Sequence, residues 1–191
     1  MSPILQTFGN ASARGYGFSL GAAVAAGSFE SIATATGTGS SSTLTFTSIP
    51  QTYTHLQLRG ILRASGTAYD AGVQFAVNGT NIARNHGLYG DGSAAGAYTG
   101  TNGYLLQAFG GGATANAYTA IIIDVLDYTN TNKYKTLRCL MGEDSNGAGY
   151  VMLNSGLATD TNAVTSLTLT WPVTGSWTSY ATVALYGIKG S

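Results

Sequence analysis

Residues 118–127, YTAIIIDVLD, decide the fold class of this 191-residue chain. Ile121, Ile123 and Val125 occupy alternate positions, and a period of two places side chains on one face of a β-strand. The polar residues 127–132 that follow are typical of a turn between two long antiparallel strands. We therefore expect an apolar strand here, with these three side chains facing the core.

The same alternation recurs on both sides of this segment. Further strands are predicted at residues 43–47, 55–59, 73–77, 135–141, 149–153, 164–170 and 181–188. The side chains expected to face inward are Leu44, Phe46, Leu56, Leu58, Leu62, Leu137, Cys139 and Met141. Asn78-Gly79 is a strong hairpin signal, because both turn positions need a positive φ. No window has the apolar spacing of a helix with caps.

Eight to ten short strands separated by Gly, Asn, Asp, Ser and Thr predict an all-β protein. The expected architecture is an antiparallel β-sandwich or jelly roll over residues 29–191. The glycine-rich residues 87–112 are predicted to be a long, variable loop region. Trp171 and Trp177 flank a proline-containing turn, where core packing is favoured over a stacking platform.

Residues 1–28 differ from the rest, because they lack the strand alternation and contain five glycines. They predict an extended N-terminal arm whose apolar side chains need a partner surface. The predicted assembly contacts are Phe8, Arg14, Tyr16, Phe18 and Leu20. A secretory signal over residues 16–27 is disfavoured, because the stretch that precedes it is long, contains one arginine and is interrupted by glycines.

Charged residues make up only 8% of the chain, and lysines plus arginines equal aspartates plus glutamates at eight each. Soluble domains average about 25%. A surface so poor in ions tends to associate. The few scattered basic residues argue against nucleic-acid binding, and no apolar run is long enough for a membrane helix. Cys139 is a single cysteine, which excludes an intrachain disulfide and a cysteine-based zinc site.

The chain carries no catalytic motif of a known type, so we expect no catalytic residue, no cofactor and no metal. Asp124 and Asp127 are three positions apart on a strand and should face opposite sides. Asp144, Asn146 and Asp160 could supply oxygen ligands for calcium, but the spacing of an EF-hand is missing.

Two sets of side chains are candidates for a ligand or an interface. His55, Arg59 and Arg63 should share an outer strand face, where contact with a neighbouring subunit is favoured over binding of an acidic or glycan ligand. Tyrosine has an apolar body and a polar tip, which suits both protein interfaces and sugar stacking. The tyrosines of the glycine-rich region that could stack on a sugar are Tyr89, Tyr98 and Tyr104.

Several phrases of this sequence resemble small structural proteins of tailed bacteriophages. They are residues 13–18 (ARGYGF), 46–50 (FTSIP), 53–59 (YTHLQLR), 127–135 (DYTNTNKYK) and 185–190 (LYGIKG). The resemblance spans nearly the whole chain and implies a virion component with a jelly-roll-like β domain. It carries over no active-site residue.

Composition and resemblance together predict a non-enzymatic virion protein. The favoured function is a capsid decoration or cement protein, bound to the major capsid protein on the outer shell as a homo-oligomer, with a trimer expected. The alternative is a tail fibre, spike or adaptor whose residues 87–112 contact host glycans. A jelly-roll hydrolase and a free lectin are disfavoured, because the chain has neither a catalytic constellation nor a clear secretory signal.

Overall fold

The computed structural model describes residues 28–190, which form thirteen β-strands and no helix. The strands are β1 (Phe29–Thr36), β2 (Thr43–Phe46), β3 (His55–Leu62), β4 (Asp70–Val77), β5 (Thr80–Asn81), β6 (Arg84–Gly90), β7 (Ala95–Gly100), β8 (Tyr104–Phe109), β9 (Thr119–Val125), β10 (Lys135–Asp144), β11 (Gly149–Ala158), β12 (Leu167–Thr170) and β13 (Thr182–Ile188). All pairings between these strands are antiparallel. Among residues 28–190, no helix offers the length and apolar character needed to cross a bilayer.

The strands form two sheets packed as a sandwich, so the predicted all-β antiparallel fold is confirmed. The large sheet has eight strands in the order β1-β13-β3-β9-β10-β11-β6-β7. The small sheet has the order β2-β12-β4-β5, and β8 also pairs with β4. The apolar core lies between the sheets, because one face of each strand alternates into it.

Strand β9 is central in the large sheet, as its apolar sequence predicts, and it pairs with β3 and β10. Ile121, Ile123 and Val125 are at most 3% exposed. The inward residues predicted for the neighbouring strands and for β2 are also buried, namely Leu44, Phe46, Leu56, Leu58, Leu62, Leu137, Cys139 and Met141. Trp171 and Trp177 are buried in an edge-to-face contact, with ring centroids 5.8 Å apart, so their predicted core role is confirmed.

Strand β8 closes one end of the sandwich, because side chains of the large sheet satisfy its free edge. The Phe109 amide donates to Thr119 Oγ1 at 3.0 Å. Asn154 Nδ2 donates to the Leu105 carbonyl at 2.8 Å. These bonds hold the small sheet against β9 and β11, which positions the pocket described below.

The predicted turns are present. Asn78 and Gly79 have φ values of 50° and 80° between β4 and β5, as the hairpin signal requires. Residues 127–132 connect the antiparallel strands β9 and β10. Lys135 is buried where β10 begins, and its ammonium donates to the carbonyls of Asn130, Lys133 and Thr161, which fixes this turn.

Two predictions about the chain path are wrong. Residues 87–112 are not a long loop, because they contain the end of β6 and all of β7 and β8. Two of their glycines leave room for a tyrosine ring of the adjacent strand. The ring of Tyr98 lies over Gly87, and the ring of Tyr89 lies over Gly96. The strand count of eight to ten is also too low, partly for this reason.

Candidate functional site

The outer face of the large sheet carries a row of apolar side chains that crosses five strands. Strand register places Ile122, Leu140, Leu153, Leu88 and Ala97 directly beside one another on β9, β10, β11, β6 and β7. We call this set the leucine row. Its three leucines are 48%, 47% and 61% exposed at positions 140, 153 and 88.

A second uncharged row lies beside the first, two residues further along each strand. Register aligns Ala120, Gly142, Val151, Gly90 and Ala95 on the same five strands. We call this set the small row, and the two rows together the apolar face. Val151 at its centre is 62% exposed. A contiguous exposed apolar surface of this kind is characteristic of an interaction site.

Polar side chains border the apolar face along the leucine row. Arg138 donates to Asp124 Oδ2 at 2.7 Å, and Gln57 Nε2 donates to Asp124 Oδ1 at 2.6 Å. Ser155 and His86 continue this border on β11 and β6. On the opposite border, Asp144 ends β10 and is exposed. The face is therefore an apolar centre with a polar rim, which is the usual anatomy of a protein interface.

Two of the three outer-face residues predicted on β3 lie where the sequence places them. His55 Nδ1 accepts the Asp127 amide at 2.9 Å. Arg59 lies over the Phe29 ring, 5.1 Å from its centroid, and donates to Gln57 at 2.6 Å.

The prediction for Arg63 is wrong. It is only 8% exposed, and its guanidinium donates to the carbonyls of Ala113, Thr114 and Ala117. Strand β3 ends at Leu62, so the alternation that would bring Arg63 to the face of Arg59 does not continue. Arg63 therefore organises the loop before β9 and is not available to a ligand.

The three tyrosines predicted as stacking residues come together, although they lie on strands and not on loops. With Tyr150 they line a pocket of about 440 Å³ between the two sheets. Tyr89, Tyr98 and Tyr150 belong to the large sheet, whereas Tyr104 belongs to β8. The Tyr89 ring centroid lies 6.5 Å from that of Tyr98 and 6.2 Å from that of Tyr150. We call this cavity the tyrosine pocket.

The lining of the tyrosine pocket contains no charged side chain. Tyr98 donates its hydroxyl to Asn154 Oδ1 at 2.9 Å. Gln107 also lines the pocket, and within residues 28–190 its Oε1 has no hydrogen-bond partner. Burial, and then the nearby carboxyls of Asp70, Asp91 and Glu143, raise the pKa of Tyr150.

Asp124 and Asp127 do not form a joint site, as their spacing predicts. Asp124 contacts Arg138 and Gln57 on the outer face, whereas Asp127 follows β9 in a left-handed turn conformation with a φ of 47°. Lys133 donates to Asp127 and holds the pKa of that carboxyl below its ordinary value. Both carboxylates thus serve the fold.

The residues considered for calcium are used in their own turns. Asp144 Oδ1 accepts the Asn146 amide at 2.8 Å, and Asp160 accepts the Asn162 amide at 2.8 Å. In the part of the chain that the structure describes, no group of three His, Cys, Asp or Glu side chains is arranged to hold a metal ion. The arm residues Phe8, Arg14, Tyr16, Phe18 and Leu20 lie outside the described residues.

Sequence reasoning did not identify the apolar face or Tyr150. A signal for the face is present in β10, where Leu140 stands between the inward residues Cys139 and Met141. Apolar residues on both phases of a strand indicate that both faces are covered. Comparisons with protein-family models, with curated proteins and with solved structures find no match.

Proposed function

We propose that this chain is a non-enzymatic structural subunit of a viral particle, with a decoration or cement protein on the outer capsid shell as its specific role. The resemblance to phage structural proteins supplies the context. The observation that carries the proposal is the apolar face, because it exposes leucines and valine on a regular, rigid sheet.

The size of the apolar face makes it a strong association surface. Five strands about 4.8 Å apart and two rows about 7 Å apart cover roughly 330 Å². Burial of this area contributes about 8 kcal/mol at about 25 cal/mol per Å², before the cost of association is subtracted. A subunit held in this way stabilises a shell without any chemical reaction.

The use of ionisable groups supports a non-enzymatic role. Asp124, Asp127 and Glu30 are paired with Arg138, Lys133 and Lys189. Arg63 and Lys135 are buried and bind backbone carbonyls. These groups organise strands and turns, and the tyrosine pocket is lined by neutral side chains.

The assembly role is tested with a variant at the centre of the apolar face. Leu153 is 47% exposed, so Leu153→Glu should leave the fold intact but prevent recovery of the chain in particles. Val173→Glu is the matched control, because Val173 is 44% exposed and lies outside the apolar face. Folding is checked by thermal unfolding, and incorporation is measured by mass spectrometry of purified particles.

Separated shells and tails then locate the chain within the particle. Recovery with shells supports the decoration role, and recovery with tails supports the tail alternative. Normal incorporation of the Leu153→Glu variant would show that the apolar face is not the assembly surface.

The tyrosine pocket favours a second candidate function, a tail fibre, spike or adaptor component that binds host glycans. Aromatic rings stack on the C–H face of a sugar, and the tyrosine hydroxyls and Gln107 can bond its hydroxyls. Because the lining has no basic side chain to pair with a carboxylate or a sulfate, we infer that the ligand would be a neutral pyranose and not a sialylated or sulfated one.

Calorimetric titration with neutral and acidic methyl glycosides tests the pocket. Tyr104→Ala should weaken binding of a neutral glycoside about tenfold, because one aromatic contact is removed. Tyr180→Ala is the control, since Tyr180 is 73% exposed and does not line the pocket. A preference for acidic glycosides, or equal binding by the Tyr104→Ala variant, would contradict this candidate.

A further inference from the structure

Two glycines of the apolar face have no role within the described chain. A Cβ at Gly142 would meet no atom within 4 Å, and a Cβ at Gly90 would meet only the Ala94 carbonyl oxygen at 3.9 Å. Neither has a positive φ. By contrast, Gly87 and Gly96 each lie under a tyrosine ring. Glycine weakens a strand, so an open position without positive φ indicates close approach by a surface from outside.

The side chains that fit these gaps are present on the same strands. Leu88 stands two residues before Gly90 on β6, and Leu140 stands two residues before Gly142 on β10. Both leucines belong to the leucine row and both glycines to the small row, so a projection faces a gap on β6 and β10, whereas on β11 Leu153 faces Val151. A twofold axis that runs parallel to the two rows, midway between them and in the plane of the contact, places the leucine row of one copy over the small row of the other.

We propose that the apolar face pairs with the same face of a second copy around this twofold axis, so that Leu88 and Leu140 of each copy fill the gaps over Gly90 and Gly142 of the other. The partner is therefore another molecule of this chain. This inference rests on the proposed assembly role of the apolar face and names its occupant. It predicts a dimer in place of the trimer expected from the sequence.

The polar rim is complementary under the same axis. The axis crosses β10 at Met141, and Arg138 and Asp144 lie three residues away from it on opposite sides. It therefore brings Arg138 of one copy opposite Asp144 of the other. The Arg138 side chain is 65% exposed although it pairs with Asp124, so it remains accessible. Asp144 uses Oδ1 in its own turn, which leaves Oδ2 for the partner. Two equivalent ion pairs result, and a C2 interface requires such self-complementarity.

The area is close to that of a small dimer interface. Three rows cross all five strands and a fourth row, with Asp144 and Gly149, is present on β10 and β11 only, so the face covers roughly 570 Å² per copy. A standard interface buries about 800 Å² per partner. The large sheet can supply this area from β9, β10, β11, β6 and β7 without any change of its backbone.

Gly142→Val tests the pairing, because the new side chain fills a gap of the interface and its Cβ meets no atom of the described chain within 4 Å. The full-length chain is studied by sedimentation equilibrium over a range of concentrations. We expect a wild-type dimer whose dissociation constant rises at least about thirtyfold in the variant, since two gaps are filled per dimer. The thermal midpoint, compared at a concentration where both proteins are monomeric, should not fall.

Two further variants complete the experiment. Thr34→Val is the control, because it places valine at an exposed site on β1, outside the apolar face, by exchanging a hydroxyl for a methyl group, and should leave the dimer unchanged. Asp144→Lys should weaken the dimer by placing like charges opposite Arg138.

The outcomes separate this inference from the assembly role. A wild-type monomer at high concentration, a trimer, or a dimer that tolerates Gly142→Val would each overturn the twofold pairing. A monomeric wild type that still enters particles would overturn the pairing alone. A dimer that is sensitive to Gly142→Val but absent from particles would support the pairing and overturn the assembly role.

Discussion

Glu143 provides a test of the core that does not depend on the proposed function. Its carboxyl is buried on the inner face of β10, and Thr119 donates a hydroxyl hydrogen bond to Oε2 at 2.7 Å. Within residues 28–190, Oε1 has no hydrogen-bond partner. Burial raises the pKa of Glu143 from an ordinary value of 4.5 to about 7, with a smaller contribution from Asp70 in the same direction.

The direction of the effect on stability follows from linkage. Between pH 4.5 and 7 the unfolded chain releases the Glu143 proton while the folded chain retains it. The folded state therefore binds more protons, and its free energy of unfolding decreases as the pH rises through this interval. At 1.36 kcal/mol per pH unit, the loss is about 3 kcal/mol and is complete above pH 7.

Glu143→Gln removes this ionisation and retains a similar shape. The variant should match the wild type near pH 4 and exceed its free energy of unfolding by about 3 kcal/mol at pH 8. Urea denaturation at a fixed protein concentration measures both values, with the buried Trp171 and Trp177 as fluorescent probes. A difference between the two proteins that does not change with pH would refute the reasoning.

Glu30→Gln is the control of opposite sign. Lys189 and Tyr53 donate to the Glu30 carboxylate and lower its pKa. The Glu30 interactions therefore stabilise the fold above the ordinary pKa of this carboxyl and are lost as the pH falls. Glu30→Gln should reduce stability at pH 8 and have little effect at low pH.

Three other predictions concern the described core. Gly187→Ala places a Cβ within the ring of Tyr53, so urea denaturation should show a loss of about 1–3 kcal/mol, and an unchanged midpoint would show that the ring moves freely. Cys139 is buried and its pKa is raised by that burial, so iodoacetamide should label it only after unfolding, and mass spectrometry of native protein should show no adduct. Phe46→Asp places a charge without a partner at a site that is 3% exposed, so circular dichroism should show no cooperative unfolding transition.

Sequence analysis predicted correctly the elements whose structure depends only on residues that are close together in the sequence. Residues 118–127 alternate, and the buried residues of β9 follow that alternation. Asn78 and Gly79 both adopt a positive φ readily, so their turn can be predicted from these two residues alone. These features need no knowledge of which strands pair.

The glycine-rich region was predicted incorrectly because its glycines are explained by residues of the paired strand and not by their neighbours in the sequence. Gly87 and Gly96 look like loop residues in a linear reading, yet each one accommodates a tyrosine ring from the paired strand. The register between β6 and β7 must be known before either glycine can be explained. The convergence of Tyr104 and Tyr150 has the same origin, because 46 residues separate them in the sequence.

The phrases that carry the resemblance meet one another in the structure. His55 of one phrase accepts the amide of Asp127 of another, and the ring of Tyr53 lies over Gly187 of the last. These contacts hold the β3, β9 and β13 region of the large sheet together. These phrases therefore lie on neighbouring strands of the large sheet and contribute to its packing.

The structure shows which surface of the protein lacks charged residues, and composition alone does not reveal this. Several of the few ions are used within the fold, as in the pair of Arg138 with Asp124 and the buried Lys135. On five strands of the large sheet, two adjacent rows contain no charged residue, and these rows draw on segments from Leu88 to Leu153. Strand register alone brings such distant residues together. An uncharged surface that is continuous across strands but scattered in sequence supports the proposed interface, because selection for the fold alone would leave its outer positions free to be polar.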